Sequence, residues 1–580
     1  MLARTFSTPL LGIIASLSLA GCATTPAAPV ESVSAAETPQ AVRGGAVSAA
    51  DPRAQEAGDE ILRKGGSATD AAIAVMLALT VVEPQSSGIG GGGFMVRGAA
   101  DGSVTSYDGR ETAPAGATPD WFLDKDGKVP PFRDSVRSGL SVGVPGNLAL
   151  AAKAHAEHGK LPWADLFAPA IALARDGFRV NPRLNGSLSD SADTGARSEE
   201  ARKLYYDASG EPRSVGTTVT NPALASTLEK IAEAGPEAFY RGELASEIAR
   251  TVADDTPRAD PMNVRDIEGY AAKQRPALCG RYRAYRICAM GPPTSGGIAV
   301  LQILGQLQRF DLAALGPRNP ETWHLFLESQ RLAYADRELY VADTDFVPVP
   351  VEGLIAPDYL ARRSALIQPG STLPDVKAGS PEGARQALAD GDEPPEHGTS
   401  HIAVVDNAGT MISYTSTIES AFGSGLMVEG FYLNNELTDF SRSPTVDGKP
   451  VANRVEGGKR PRSSMSPVVV YDPQGKPFMA VGAAGGSTIP VQTARSIIGV
   501  IDFGLDPESA LGLPFIMAFG DSVMLEDGTW LAQSQDTFRA LGHAALSVRP
   551  APVKGGIVVR RDGRWVAARD PRVQSQLVLP

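Results

Sequence analysis

Between Pro369 and Gly398 the chain loses the means to bury a core, and from Thr399 onward it regains them in strand form. The segment runs through proline, glycine, alanine and acidic residues and ends in Asp390-Gly391-Asp392-Glu393-Pro394-Pro395-Glu396-His397-Gly398. So little apolar surface beside so much like charge predicts an exposed, mobile loop. Directly after it, Ile402-Ala403-Val404-Val405-Asp406 reads as a strand, Asn407-Ala408-Gly409-Thr410 as a turn, and Met411 to Thr417 as a second strand. The stretch before the break, roughly 145 to 370, is helix-rich, as in Leu148 to His158 and Trp323 to Val341. After the hairpin, strand signals recur at Ser466 to Asp472 and Pro477 to Gly482. A helix follows at Val491 to Phe503, and a last hairpin from Gly556 to Ala568 turns on Asp562-Gly563. Helices and strands in separate runs predict a layered α+β fold. With 580 residues, 43% hydrophobic and 21% charged, the chain has ample material for a large core.

Near the start, Ser67-Ala68-Thr69-Asp70 precedes the apolar run Ala71 to Val82, and Pro84 ends it. Serine followed three residues later by a carboxylate predicts a capped, buried helix. Next comes Gly88-Ile89-Gly90-Gly91-Gly92-Gly93-Phe94-Met95-Val96. It contains G-x-G-x-x-G, but with a helix before it and a strand after it, the reverse of a dinucleotide site. These glycines instead let backbones pack closely or line a site.

The first residues read as an export signal. Met1 to Thr5 carries one arginine, and Leu10 to Ala20 is apolar but too short to span a bilayer. Leu19-Ala20-Gly21-Cys22 resembles a bacterial lipobox, in which the chain is cut before a cysteine that is then lipidated. Ala23 after Cys22 resembles lipoproteins sorted to an outer membrane, with a soluble periplasmic protein as the alternative. Residues 1–22 are thus expected to be the signal and 23–44, rich in Ala, Pro, Thr and Ser, a flexible tether. Of the remaining cysteines, Cys279 and Cys288 would face each other across a hairpin turning at Arg283-Ala284, either as a disulfide or as two buried thiols.

Several chemistries are excluded. The net charge of −12 and the lack of a Lys/Arg-rich block argue against nucleic acid. Neither the six histidines nor the three cysteines form a metal-ligand pattern, so no metal or cofactor is expected. His155 and His158 are expected to be exposed on their helix. No nucleophile elbow is present. What remains is a threonine directly after the loop. Its hydroxyl can attack the preceding Gly398 carbonyl, and the freed α-amine, with a pKa of about 7.7–8.0, can then serve as the base beside the same hydroxyl.

His397-Gly398-Thr399-Ser400-His401 resembles the processing site of gamma-glutamyltranspeptidases. Further motifs follow in that family's order: Thr415 to Glu419, Phe422 to Gly425, Leu433 to Phe440, Lys459 to Pro467 and Gly485-Gly486-Ser487. Upstream, Gly88 to Val96, Asp108 to Pro114 and Pro292 to Gly297 are similar too. The resemblance implies a four-layer αββα sandwich of the N-terminal-nucleophile hydrolase class. One self-cleaved chain would give a large subunit, 45–398, and a small catalytic subunit, 399–580. It implies Thr399 as nucleophile, Thr417 aligning its hydroxyl, and Gly485 and Gly486 as oxyanion hole. Arg110 would bind the substrate carboxylate with Ser463 and Ser464, and Glu419, Glu436 and Asp439, in motifs on successive strands, would pair with its ammonium. Substrates would be glutathione and other gamma-glutamyl compounds, with water, amino acids or peptides as acceptors, and a lipid anchor as the sole membrane contact.

Two departures are visible. Glu419 and Glu436 stand where many members carry asparagine and glutamine, which keeps an acceptor and adds charge. The connection 441–458 is shorter than in lid-bearing members, which leaves hydrolysis against transpeptidation open. The rival readings are a β-lactam side-chain acylase on the same scaffold, whose glutaryl group would lack the ammonium, and an uncleaved peptide-binding surface lipoprotein.

Overall fold

The computed structural model describes residues 44–385, 389 and 398–579. The signal with Cys22, the tether apart from Gly44, and the acidic run 390–397 lie outside the described residues. The strands that build the frame are β1 (Ala46–Ser48), β2 (Gly92–Gly98), β3 (Val104–Gly109), β4 (Lys273–Arg275), β5 (Leu278–Tyr282), β6 (Tyr285–Ala289), β7 (Ser400–Val405), β8 (Met411–Thr417), β9 (Val468–Tyr471), β10 (Pro477–Ala484), β11 (Lys554–Arg561) and β12 (Arg564–Arg569). They form two six-stranded antiparallel sheets, ordered β1-β7-β8-β2-β3-β4 and β12-β11-β10-β9-β6-β5.

Side-chain alternation assigns each face. On β7, Ile402 and Val404 point to the helices α1 (Pro52–Arg63) and α2 (Ala68–Val82), while Ala403 and Val405 point to the other sheet. On β9, Val469 and Tyr471 meet them in the middle, and Val468 and Val470 face the helices Gly296–Leu307 and Ile489–Ile501. Strands buried on both faces read as unbroken apolar runs. The result is a four-layer αββα sandwich, the architecture that the resemblance implies. All 15 residues of α2 are buried, consistent with its apolar surface all round. Its first turn closes the capping box, with Ser67 Oγ accepting the Asp70 N–H and Asp70 accepting the Ser67 N–H.

The last hairpin turns on Asp562 and Gly563, both at positive φ (48° and 77°), the geometry a two-residue turn requires. Cys279 and Cys288 pair across β5 and β6 with Cα atoms 4.1 Å apart and are joined as a disulfide. His155 and His158 are half-buried, not exposed. His155 Nε2 lies 2.9 Å from the Leu161 carbonyl and its ring packs on Trp163, because the chain after the helix folds back over them.

The glycine run opens β2 where the sheet is most crowded. A Cβ on Gly91 would collide with the Thr417 carbonyl oxygen, and one on Gly90 with that of Tyr432. Gly91→Ala is therefore expected to lower stability by more than about 3 kcal/mol. Gly186→Ala, in a helix with nothing within 4 Å of the new methyl, should be neutral or mildly stabilising. Thermal unfolding of the two variants measures the difference.

Candidate active site

Register places the two threonines together. Ser416 on β8 pairs with Ser400 on β7, so Thr417 lies beside Thr399. Thr399 Oγ1 is 3.0 Å from Thr417 Oγ1, and Thr417 Oγ1 also accepts the Glu419 N–H at 2.8 Å. The backbone at this point is strained. Thr399 has φ 96°, an outlier for a β-branched residue, which costs on the order of 1–3 kcal/mol. Both of its main-chain groups are held: its N–H donates to the Ser86 carbonyl at 2.9 Å, and its carbonyl accepts from Lys554 Nζ at 2.9 Å. Only glycine fits at position 398, because a Cβ there would overlap the Glu419 carbonyl oxygen.

Gly485 and Gly486 follow β10 and open the 3-10 turn Gly486–Thr488 that leads into helix Ile489–Ile501. Their φ values, 122° and 57°, exclude most side chains. Ala484, just before the pair, is in register with Lys554, whose ammonium donates to the Thr399 carbonyl. Amide groups at a helix start are suited to hold developing negative charge. His401, two residues on, is buried with Nδ1 3.0 Å from Thr415 Oγ1, and burial pushes its pKa down to about 3, so it stays neutral.

The second half of the site is a buried charge cluster. Arg110 leaves the end of β3, anchored by its N–H to Asp108 at 2.9 Å. Its guanidinium donates to the Pro461 and Arg462 carbonyls (3.2 and 2.9 Å) and forms ion pairs with Glu436 and Asp439. Glu111 Oε2 lies 3.9 Å away. Ser463 and Ser464 follow on the same buried segment. Ser463 Oγ accepts the Met465 N–H at 3.1 Å, and Ser464 Oγ accepts from Arg337 at 2.7 Å. Glu419 accepts from Ser420 and Asn435 and senses Asp439 and Arg110, which joins this cluster to the threonines.

One expectation is corrected: Glu436 and Asp439 lie on one 3-10 turn, Glu436–Asp439, not on successive strands. Arg110 is engaged by those same acids. Buried charges of opposite sign within reach pair with one another. Among the described residues, Glu111, Glu419, Glu436 and Asp439 set four carboxyls around the Arg110 guanidinium. Both oxygens of Glu111, Oε1 of Glu419 and Oε2 of Glu436 accept no N–H or O–H. Burial raises Glu111 and Glu419 to about 8 and Glu436 well above the usual carboxylate range. Burial opposes the charge on Arg110, but Glu436 and Asp439 reverse that and hold it firmly protonated.

Sequence reasoning did not single out Lys554, Glu83, Ser86 or Glu111. A signal for the first two exists: Glu83 directly follows an unbroken apolar helix, and Lys554 opens a strand between apolar residues. Glu111 follows Arg110 inside a motif already noted. A large apolar groove lined by Leu301, Leu304, Ile355 and Leu360 lies elsewhere and includes none of these groups.

The sequence profile of a family described as Gamma-glutamyltranspeptidase matches residues 54–579. The chain is 39% identical over 498 residues to the glutathione hydrolase proenzyme of Bacillus subtilis (strain 168), covering 84% of this chain and 83% of that one. It is 35% identical over 562 residues to the glutathione hydrolase proenzyme of Escherichia coli (strain K12), covering 93% and 92%. Among solved structures, a cephalosporin acylase from Bacillus halodurans superposes with a TM-score of 0.80 at 26% identity, covering 94% of this chain and 98% of that one.

The raised carboxyls give a pH test. Glu419 binds its proton more tightly folded than unfolded, so its contribution is full below the unfolded pKa, near 4.5, and is lost as pH rises through about 8. Glu419→Gln should therefore match wild type near pH 4.5 and be more stable near pH 8, by on the order of 4 kcal/mol. Thermal melts of the unliganded protein across that range check it; equal gaps at both ends would contradict the assignment.

Proposed function

The chain belongs to the gamma-glutamyltranspeptidase family, and from that premise we propose that it is a gamma-glutamyl transferase/glutathione hydrolase that frees Thr399 as its nucleophile by a cut at Gly398–Thr399. The observation that carries the reading is the held, left-handed Thr399 with its hydroxyl on Thr417, behind a glycine that nothing else could replace. In the uncut chain Thr399 Oγ1 attacks the Gly398 carbonyl carbon, the C–N bond breaks, and water hydrolyses the ester. This gives a large subunit ending at 398 and a small one starting with a free α-amine at Thr399.

That amine then accepts the Thr399 hydroxyl proton as the oxygen attacks a gamma-glutamyl carbonyl. The Gly485 and Gly486 N–H groups stabilise the oxyanion, worth about 3 kcal/mol per donor in comparable sites. The proton passes to the leaving amine, and water or an amino acid resolves the acyl-enzyme. The substrate's amino-acid end is a zwitterion. Its ammonium supplies the positive charge that the surplus of carboxylates lacks, and in doing so releases the Arg110 fork for its carboxylate, beside Ser463 and Ser464.

These carboxyls also weigh against a glutaryl acylase, the rival that the Bacillus halodurans likeness raises, because a glutaryl group carries no ammonium. The short connection 441–458, which holds only the exposed turn Thr445 to Pro450, supports an open site that admits water and peptide acceptors alike. For location, the reading is an outer-membrane lipoprotein held through Cys22. Leu19-Ala20-Gly21-Cys22 supports it, and a disulfide at Cys279–Cys288 fits an oxidising compartment. Activity in the membrane pellet, against activity in the soluble periplasmic extract, decides it.

Purified wild type should run as two pieces divided at Gly398–Thr399 and release glutamate from glutathione and gamma-glutamyl-p-nitroanilide. Thr399→Ala should stay in one piece and release none. Arg110→Lys keeps the charge but loses the fork, so it should still process while kcat/KM on both donors falls about 100-fold. Wild type that stays whole yet turns over, or a glutaryl substrate outpacing both donors, would overturn the reading.

A further inference from the structure

Lys554 occupies a position that nothing in the mechanism above uses. Its ammonium is buried and makes four contacts: the Thr399 carbonyl at 2.9 Å, Glu83 Oε2 at 2.5 Å, Ser400 Oγ at 3.1 Å and Ser86 Oγ at 3.2 Å. Glu83 is in turn held by Ser400 Oγ at 2.7 Å and Arg183 at 3.1 Å. One of the Ser86 groups, its carbonyl, takes the Thr399 N–H. Lys554, Glu83, Ser86 and Ser400 thus form one polar cluster that grips the backbone of the nucleophile from both sides, while Thr417 grips its hydroxyl.

We propose that Lys554 is a positioning residue that holds Thr399 in its left-handed backbone conformation and, as a fixed positive charge on the same residue's carbonyl, lowers the proton affinity of the α-amine that cleavage exposes. The inference rests on the reading of Thr399 as nucleophile. Covalent geometry keeps a residue's own N and O close, so the ammonium stands no more than about 7 Å from the freed amine. A like charge at that range, in a site without water's dielectric, disfavours a second ammonium. The amine is then a base at neutral pH, where an unperturbed one would be largely protonated.

The other charges facing the cluster sort consistently. Burial would raise Glu83, but Lys554 and Arg183 bring it down to about 2, so it is an anion throughout the working range. Burial lowers Lys554 to about 8 against the pull of Glu83, with Arg183 opposing and Asp51 supporting its charge. Arg569, on β12, lies close enough to sense both Asp51 and Glu83. His401 remains neutral. Below about pH 8 the lysine is therefore charged, over the range in which the freed amine would titrate.

Three variants separate charge from contact. Lys554→Arg keeps the charge, Lys554→Gln keeps a donor without charge, and Lys554→Met keeps neither. The acid limb of kcat/KM on gamma-glutamyl-p-nitroanilide should move up by about one pH unit in the Gln and Met variants and stay in place in the Arg variant. KM should change little in all three, since Lys554 does not face the Arg110 cluster. Processing, read as the fraction of chain in two pieces, should slow most in the Met variant. A wild-type limb in the Gln variant, or a limb moved as far in the Arg variant as in the Gln variant, would overturn the proposal; those two suffice if the Met variant does not fold. Thr399→Ala serves as the separate control. If it cuts itself and turns over substrate, the nucleophile reading fails, on an observation independent of the lysine series.

Discussion

The pairing of β7 with β8 is the constraint on which the rest of the site depends. It sets Ser400 opposite Ser416 and so brings the hydroxyls of Thr399 and Thr417 within 3.0 Å. A slip of one residue would turn Ile402 and Val404 toward the second sheet and carry Thr417 away from Thr399. The slip is opposed on every side. α2 packs on one face, the second sheet on the other, and β2 pairs with β8 over seven residues, from Met411 opposite Gly98 to Thr417 opposite Gly92. The glycine run at the start of β2 belongs to the same constraint, because its bare backbone allows the Thr417 and Tyr432 carbonyls to approach.

Around that rigid pair the electrostatics are deliberately unbalanced. Arg110 and Lys554, both buried, serve opposite ends of the site and face different demands. Lys554 is matched by Glu83, whose carboxylate also accepts from Ser400, so this pair is nearly neutral and well satisfied. Arg110 faces a surplus of acids, and several of their oxygens lack a donor. A buried carboxylate without a partner is costly, and here the cost is reduced by protonation, as the raised Glu111 and Glu419 show. Glu111, Glu419 and Glu436 sense one another and Asp439, so protonation of any one of them relieves the rest. An incoming ammonium can take over that role from a proton.

Much of this was legible before any coordinates. The capping box of α2, the Ser400–Thr417 hairpin and the turn at Asp562-Gly563 are local, and local rules of alternation and turn chemistry govern them. The resemblance drew attention to Thr399, Thr417, Arg110 and the acids. The partnerships were not legible. Arg110 meets Glu436 and Asp439 across 326 and 329 positions, and Lys554 meets Glu83 across 471. No periodicity connects such pairs; only the stacking of the two sheets does. For the same reason the acids were expected on strands and their pairing with Arg110 was not foreseen, since a sequence shows charge but not which charges will neutralise one another.

The strain at Thr399 makes sense only in the light of that long-range clamp. A β-branched residue at φ 96° would relax to extended geometry if either of its backbone groups were released. Ser86 holds the amide, Lys554 the carbonyl and Thr417 the hydroxyl, and these come from the end of α2, the start of β11 and the end of β8. Three elements far apart in the chain must therefore be in place before the conformation exists. On the proposed reading, self-cleavage is then coupled to completed folding: a partly folded chain would lack the clamp, leave Thr399 relaxed, and keep the Gly398–Thr399 bond intact until the sandwich had closed.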